Sequence, residues 1–69
     1  MARYFFDITG ASDVTDDSGE DCPSLEDAKK RARRIFAELV RNDSDLTGLS
    51  VSVRDEHGQV PYRVALSEQ

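Results

Sequence analysis

"LSVSVRDEHGQVPYRVAL", residues 49–66, decides how this chain folds. Leu49, Val51 and Val53 alternate with Ser50, Ser52 and Arg54, and Val60, Tyr62, Val64 and Leu66 alternate with Pro61, Arg63 and Ala65. A period of two marks strands with one buried face. Pairing Arg54 with Gln59 sets Val53 opposite Val60, Val51 opposite Tyr62 and Leu49 opposite Val64, so every apolar side chain falls on one side of an antiparallel hairpin. The loop is then "DEHG", residues 55–58. Loops of this length are built around a type I turn, with Asp55 suited to its first position and Gly58 supplying φ > 0. Pro61 lacks an N–H and so fits an edge strand, where its place in the register predicts a missing ladder bond or a bulge. The same loop holds the most catalytic-looking group in the chain, His57 beside Asp55 and Glu56. A histidine needs a nucleophile or a second ligand within reach, and the sequence has no other histidine and no G-x-S-x-G or H-x-x-x-H pattern. These residues therefore read as turn chemistry, and the chain is not expected to be an enzyme.

Upstream, "NDSDLTG" (42–48) separates the hairpin from an amphipathic helix. Leu25, Ala28, Ala32, Ile35, Phe36, Leu39 and Val40 form one stripe at 100° per residue, to about Arg41. Ser24 is the expected N-cap, and Asp27 stands at the third helical position, where a carboxylate suits the positive helix end. Near the N-terminus, "RYFFDIT" (3–9) is a strand with Tyr4, Phe6 and Ile8 on one face and Arg3, Phe5, Asp7 and Thr9 on the other. After a turn at "TGASD", a short second strand is expected around Val14 and Thr15, followed by a glycine turn. The resulting fold class is α+β: one domain over 1–69, β-β-α-β-β, with a small antiparallel sheet in the order 2-1-3-4 and the helix on one face.

Sixty-nine residues bury only a thin core, which leaves little room for a dry catalytic cleft and makes self-association a natural source of stability. Cys22 is the only cysteine, so no intramolecular disulfide forms. The start of the chain lacks an apolar run of signal-peptide length, and no segment reaches about 20 apolar residues. These features predict a cytoplasmic protein without a membrane partner. The acids Asp13, Asp16, Asp17, Glu20 and Asp21 do not follow a calcium loop: counted from Asp13, Ser18 and Ser24 stand where glycine and glutamate are needed. No metal or cofactor is expected, and Cys22 reads as a packing residue.

The pieces "RYFFDI", "DDSGEDCPSLEDAKKRA" and "VRDEHGQV" resemble a family of short bacterial proteins of unknown function, common in rhizobia and their relatives. Its members open with an R-Y-F-F-x-I strand, continue through an acidic D-x-x-G turn to a proline and an Ala-rich charged helix, and close with a V-R-D-x-x-G hairpin. The resemblance spans nearly the whole chain and implies the fold above, with Cys22 replacing an aliphatic side chain. It implies no activity. A looser fold-level similarity joins the N-terminal strand, acidic turn and helix to small antitoxins of the HicB type.

Two surfaces are candidates for function. The net charge is −5, yet "KKRARR" (29–34) concentrates five bases, among them Lys30, Arg33 and Arg34. The bases outside the helix, Arg3, Arg54 and Arg63, share outward parity on the sheet with Phe5. An aromatic among arginines can stack on nucleic-acid bases or serve a protein interface. A basic helix run is most often a solvated face with i,i+4 ion pairs, here Glu26–Lys30, Asp27–Arg31 and Arg34–Glu38. The acidic balance favours a protein partner, or a second copy docking through the sheet face at Phe5, Pro61 and Ala65, over nucleic acid. The expectation is a small interaction or regulatory module acting by protein–protein contact. The alternative is a nucleic-acid-associated, antitoxin-like protein using the basic helix or the Arg3/Phe5/Arg54/Arg63 face.

Overall fold

The structure, a computed structural model, describes residues 2–10, 13–42 and 46–66. Its elements are β1 (Ala2–Thr9), β2 (Glu20–Cys22), α1 (Leu25–Asn42), β3 (Ser50–Arg54) and β4 (Tyr62–Ala65). They form an antiparallel sheet in the order β2-β1-β3-β4 with α1 packed on one face. This is the expected architecture. Residues 11 and 12 of the first turn and 43–45 of the helix–β3 connection lie outside the described residues.

The helix begins as its capping residues dictate. Ser24 Oγ accepts the Asp27 N–H at 3.3 Å as an N-cap, and its hydroxyl donates to Asp27 Oδ2 at 3.2 Å, which holds the capping rotamer. Ala28 and Ala32 are fully buried and let the helix approach the sheet closely, while Leu25, Ile35, Phe36 and Leu39 cover the margins. Val40, expected in the stripe, is instead exposed. The core contains Phe6 from β1, Cys22 from β2, Val51 and Val53 from β3, and the two alanines, with Tyr4, Ile8, Tyr62 and Val64 packed around them. Cys22 is a core side chain; burial, with help from nearby Glu20 and Asp27, pushes its thiol pKa up.

Two sequence expectations need correction. The second strand lies at Glu20–Cys22, after the glycine turn and not around Val14 and Thr15. Val14 makes only an isolated bridge with Ile8, their N–H and C=O groups exchanging bonds of 2.8 Å. Glu and Asp have poor strand propensity, but here cross-strand partners outweigh it. Arg3 stands opposite Asp21 and pairs with it at 3.3 Å, while Cys22, opposite Ala2, fills the core.

The hairpin register also differs. Tyr62, not Val60, stands opposite Val53, and Val64, not Tyr62, stands opposite Val51. The turn itself is as expected: Gly58 N–H donates to Asp55 C=O at 3.1 Å, and Gly58 has φ +84°. Asp55 Oδ1 accepts the N–H groups of His57 and Gln59, both at 2.9 Å. The Asp55 N–H then reaches Gln59 C=O at 2.8 Å, and residues 59–61 leave the ladder before β4 starts. Pro61 cannot donate to a ladder, so pairing resumes one residue beyond it. The shift is by an even step, so Tyr62 and Val64 still face inward; Val60 and Leu66, assigned inward from the pattern, are 52% and 38% exposed.

The turn yields a direct expectation. His57→Ala leaves the melting temperature unchanged, since His57 contributes only its exposed backbone N–H to the turn. Gly58→Val costs about 1–2 kcal/mol, the penalty of placing a β-branched L-residue at positive φ. Open space surrounds the position, so no clash adds to it. Thermal melts of both variants check this.

Candidate functional site

The face of the sheet opposite the helix carries Arg3, Phe5, Asp7 and Thr9 of β1, Ser50, Ser52 and Arg54 of β3, and Arg63 and Ala65 of β4. Sequence parity presents this as an open aromatic and arginine surface. The structure closes half of it with the chain's own acidic turn. Arg54 grips Asp7 with a two-pronged contact, Nε to Oδ2 at 2.9 Å and Nη2 to Oδ1 at 3.3 Å. Its Nη2 also donates to the Asp16 C=O at 3.0 Å, and the guanidinium lies 4.5 Å from the Phe5 ring centroid. Arg3 donates to the Ser18 C=O at 2.7 Å while pairing with Asp21. Gly19 sits so close that a Cβ there would lie 2.8 Å from Phe5 Cε2 and 2.9 Å from Arg3 Cγ. Arg3, Phe5 and Arg54 are thus brought together as a clasp on residues 16–21. Ser50, outward by parity, is 1% exposed and shares a 2.6 Å hydrogen bond with Thr9.

Asp16 is the residue that sequence reasoning missed. Between the Val14 bridge and the β2 ladder, residues 15–19 leave the edge of β1, and the Phe6 N–H would lose its partner. Asp16 Oδ2 takes it at 3.2 Å, while Oδ1 accepts Ser18 and Gly19 N–H, each at 3.1 Å. Its own N–H donates to Asp7 Oδ1 at 3.0 Å. The carboxylate stands in for a missing stretch of strand. Burial pushes its pKa up, but the N–H donors of Gly19, Phe6 and Ser18 together with the Arg54 charge hold it below the ordinary value. Asp7 is also held low, by the Arg54 hydrogen bond above all, against the opposing effect of burial. The D-x-x-G spacing was the available signal: an Asp three residues before a glycine at φ +74° is an Asx-type loop.

The basic run divides between the two flanks of the helix. On the β4 side, Lys29 pairs with Glu26 at 3.3 Å and lies 5.5 Å from the Tyr62 ring centroid, and Arg33 donates to Tyr62 Oη at 3.4 Å. On the β2 side, Arg31 reaches Glu20 at 3.1 Å, and Lys30 and Arg34 line a shallow cleft of about 290 Å³ with Cys22 and Asp27. Among the described residues the i,i+4 pairs expected from spacing are not formed; i,i+3 and helix-to-strand pairs replace them. Lys30, Arg33, Arg34 and Arg63 are exposed and have no carboxylate within ion-pair distance among the described residues.

A four-stranded sheet with one helix and a clasped acidic turn defines a small α+β domain. Residues 3–67 match the family described as Domain of unknown function (DUF6894), and the chain belongs to that family. No curated protein and no solved structure matches it. Among the described residues no helix is long and apolar enough to cross a membrane.

Proposed function

We propose that this chain is a small non-enzymatic interaction module that works by protein–protein contact. The observation that carries the reading is the set of exposed cations, Lys30, Arg33, Arg34 and Arg63, that stay without carboxylate partners among the described residues of a chain of net charge −5. Other cations of the chain, Arg3, Arg31 and Arg54, are engaged internally. Exposed charge left on rigid elements supports recognition of an acidic protein surface, where such charge steers encounter and sets register. Splitting the cations between two helix flanks argues against a continuous phosphate-tracking stripe, and so does the net charge. The sheet face around Phe5, which the sequence offers as a docking patch, is held under Arg54 and the 16–21 turn, which favours the helix flanks and β4 as the contact surface. The second reading, a nucleic-acid-associated, antitoxin-like protein, rests on the exposed Lys30 and Arg34 of the basic helix.

Affinity capture from the native host, with wild type and a Lys30→Glu/Arg33→Glu/Arg34→Glu/Arg63→Glu variant, tests the first reading. A protein retained by wild type, lost by the variant and able to bind again as a purified pair supports it. Fluorescence titration with single- and double-stranded oligonucleotides at two ionic strengths is expected to show no salt-dependent binding. Micromolar binding that weakens steeply with salt, and disappears in Lys30→Glu/Arg34→Glu, would establish the nucleic-acid reading instead.

A further inference from the structure

The strand order leaves β4 at one edge of the sheet, with no described strand beyond it. Half of the backbone N–H and C=O groups of an antiparallel edge strand point away from its neighbour and can pair with an added strand. The β4 edge is flanked by positive charge on both faces. On the helix side, Arg33 lies over Tyr62 beside Lys29, whose own charge is paired with Glu26. On the opposite face Arg63 is exposed, and it borders a cleft of about 420 Å³ lined by Leu46, Leu49, Ala65 and Leu66. The other edge of the sheet, β2, carries Glu20 and Asp21, both already paired within the chain.

We infer that the β4 edge is a docking site for an extended acidic peptide segment of a partner protein, added to the sheet as a fifth strand. Successive side chains of a strand point to opposite faces, so neighbouring acids in the incoming segment reach Arg33 on the helix side and Arg63 on the other. An apolar side chain near the end of β4 enters the Leu46/Leu49/Leu66 cleft. The short edge and Pro61 limit the added strand to a few residues, which suits a linear motif more than a sheet-to-sheet assembly. A second copy of this chain is a poor occupant. Two-fold pairing of β4 with β4 sets the Arg63 and Arg33 side chains of the two copies against each other, and like charges across strands repel.

This inference rests on the protein-contact reading and specifies its surface. The probe is the peptide Thr-Val-Glu-Asp-Val-Thr, capped at both ends, with its Lys-Lys counterpart as control, titrated into the full chain by heteronuclear NMR with hydrogen exchange. The acidic peptide is expected to bind, to perturb Tyr62–Ala65 and to protect the alternate β4 amides that face away from β3. Arg33→Glu and Arg63→Glu are each expected to weaken it by about tenfold, while Lys30→Glu/Arg34→Glu changes it little. Binding without β4 protection, or binding lost only in Lys30→Glu/Arg34→Glu, overturns the edge site and leaves protein contact to the other helix flank. No perturbation at millimolar peptide overturns it too. Sedimentation equilibrium that finds a dimer with protected β4 amides in the absence of peptide assigns the edge to self-association and likewise overturns it.

Discussion

Asp16→Ala is expected to lower the stability of this domain by about 2–3 kcal/mol, the net worth of charge-assisted hydrogen bonds from partly buried N–H groups. The side chain accepts from Phe6, Ser18 and Gly19. Without it, the Phe6 N–H on the β1 edge has no partner, and residues 15–19 lose what holds them against the sheet. Urea unfolding read by circular dichroism checks the magnitude, with Asp16→Asn falling between wild type and Asp16→Ala because an amide keeps one acceptor. An unchanged midpoint in Asp16→Ala would show that the turn is held by the Arg54 clasp alone. The same residue sets the acid response. Asp7 and Asp16 both have folded pKa values below the ordinary 3.8. Their contribution is fully present above that value and is lost as pH falls through the lower folded values, so destabilisation sets in below about pH 4. In Asp16→Ala the acid limb of the melting curve flattens, since one of the two carboxylates no longer needs to stay ionised.

Gly19→Val is expected to cost about 3 kcal/mol, roughly twice the penalty at Gly58. Both glycines sit at positive φ, +74° and +84°. They differ in surroundings: a side chain at residue 58 meets open space, whereas one at residue 19 drives into the Phe5 ring and the Arg3 stem. The Phe5 ring cannot yield freely, being capped by the Arg54 guanidinium. Comparing the two valine variants by thermal melting isolates the steric part. Equal destabilisation would mean that the 16–21 turn lifts off the sheet without cost, and the Phe5 face would then be available to a partner after all. A restored stability in Gly19→Val/Phe5→Ala would place the conflict at the ring itself.

Local regularities made most of this fold readable. Alternation in 49–54 and 3–9 defines the inner face because side chains on a strand point to opposite sides whatever the strand is paired with. The helix and its start follow from a 3.6-residue stripe and a serine whose hydroxyl reaches only the nearby N–H groups. The turn at 55–58 follows from an Asp that bonds its own neighbours and a glycine at positive φ. Each of these depends on residues within a few positions of one another.

What only the tertiary structure decided is which partner each exposed group takes. Arg3, Phe5, Arg54 and Arg63 share outward parity, but parity does not tell whether a face is covered. Arg54 meets an aspartate 47 positions away, and Phe6 meets one 10 positions away. Such pairings depend on where the chain returns in space. The β2 site was illegible for the same reason, since its acids are poor strand formers until Arg3 and Arg31 stand beside them. The hairpin register was ambiguous because shifting it by an even step keeps Tyr62 and Val64 inward in either pairing. The choice fell to Pro61, whose missing N–H delays the ladder to Tyr62 and leaves β4 a short strand with no described strand beyond it.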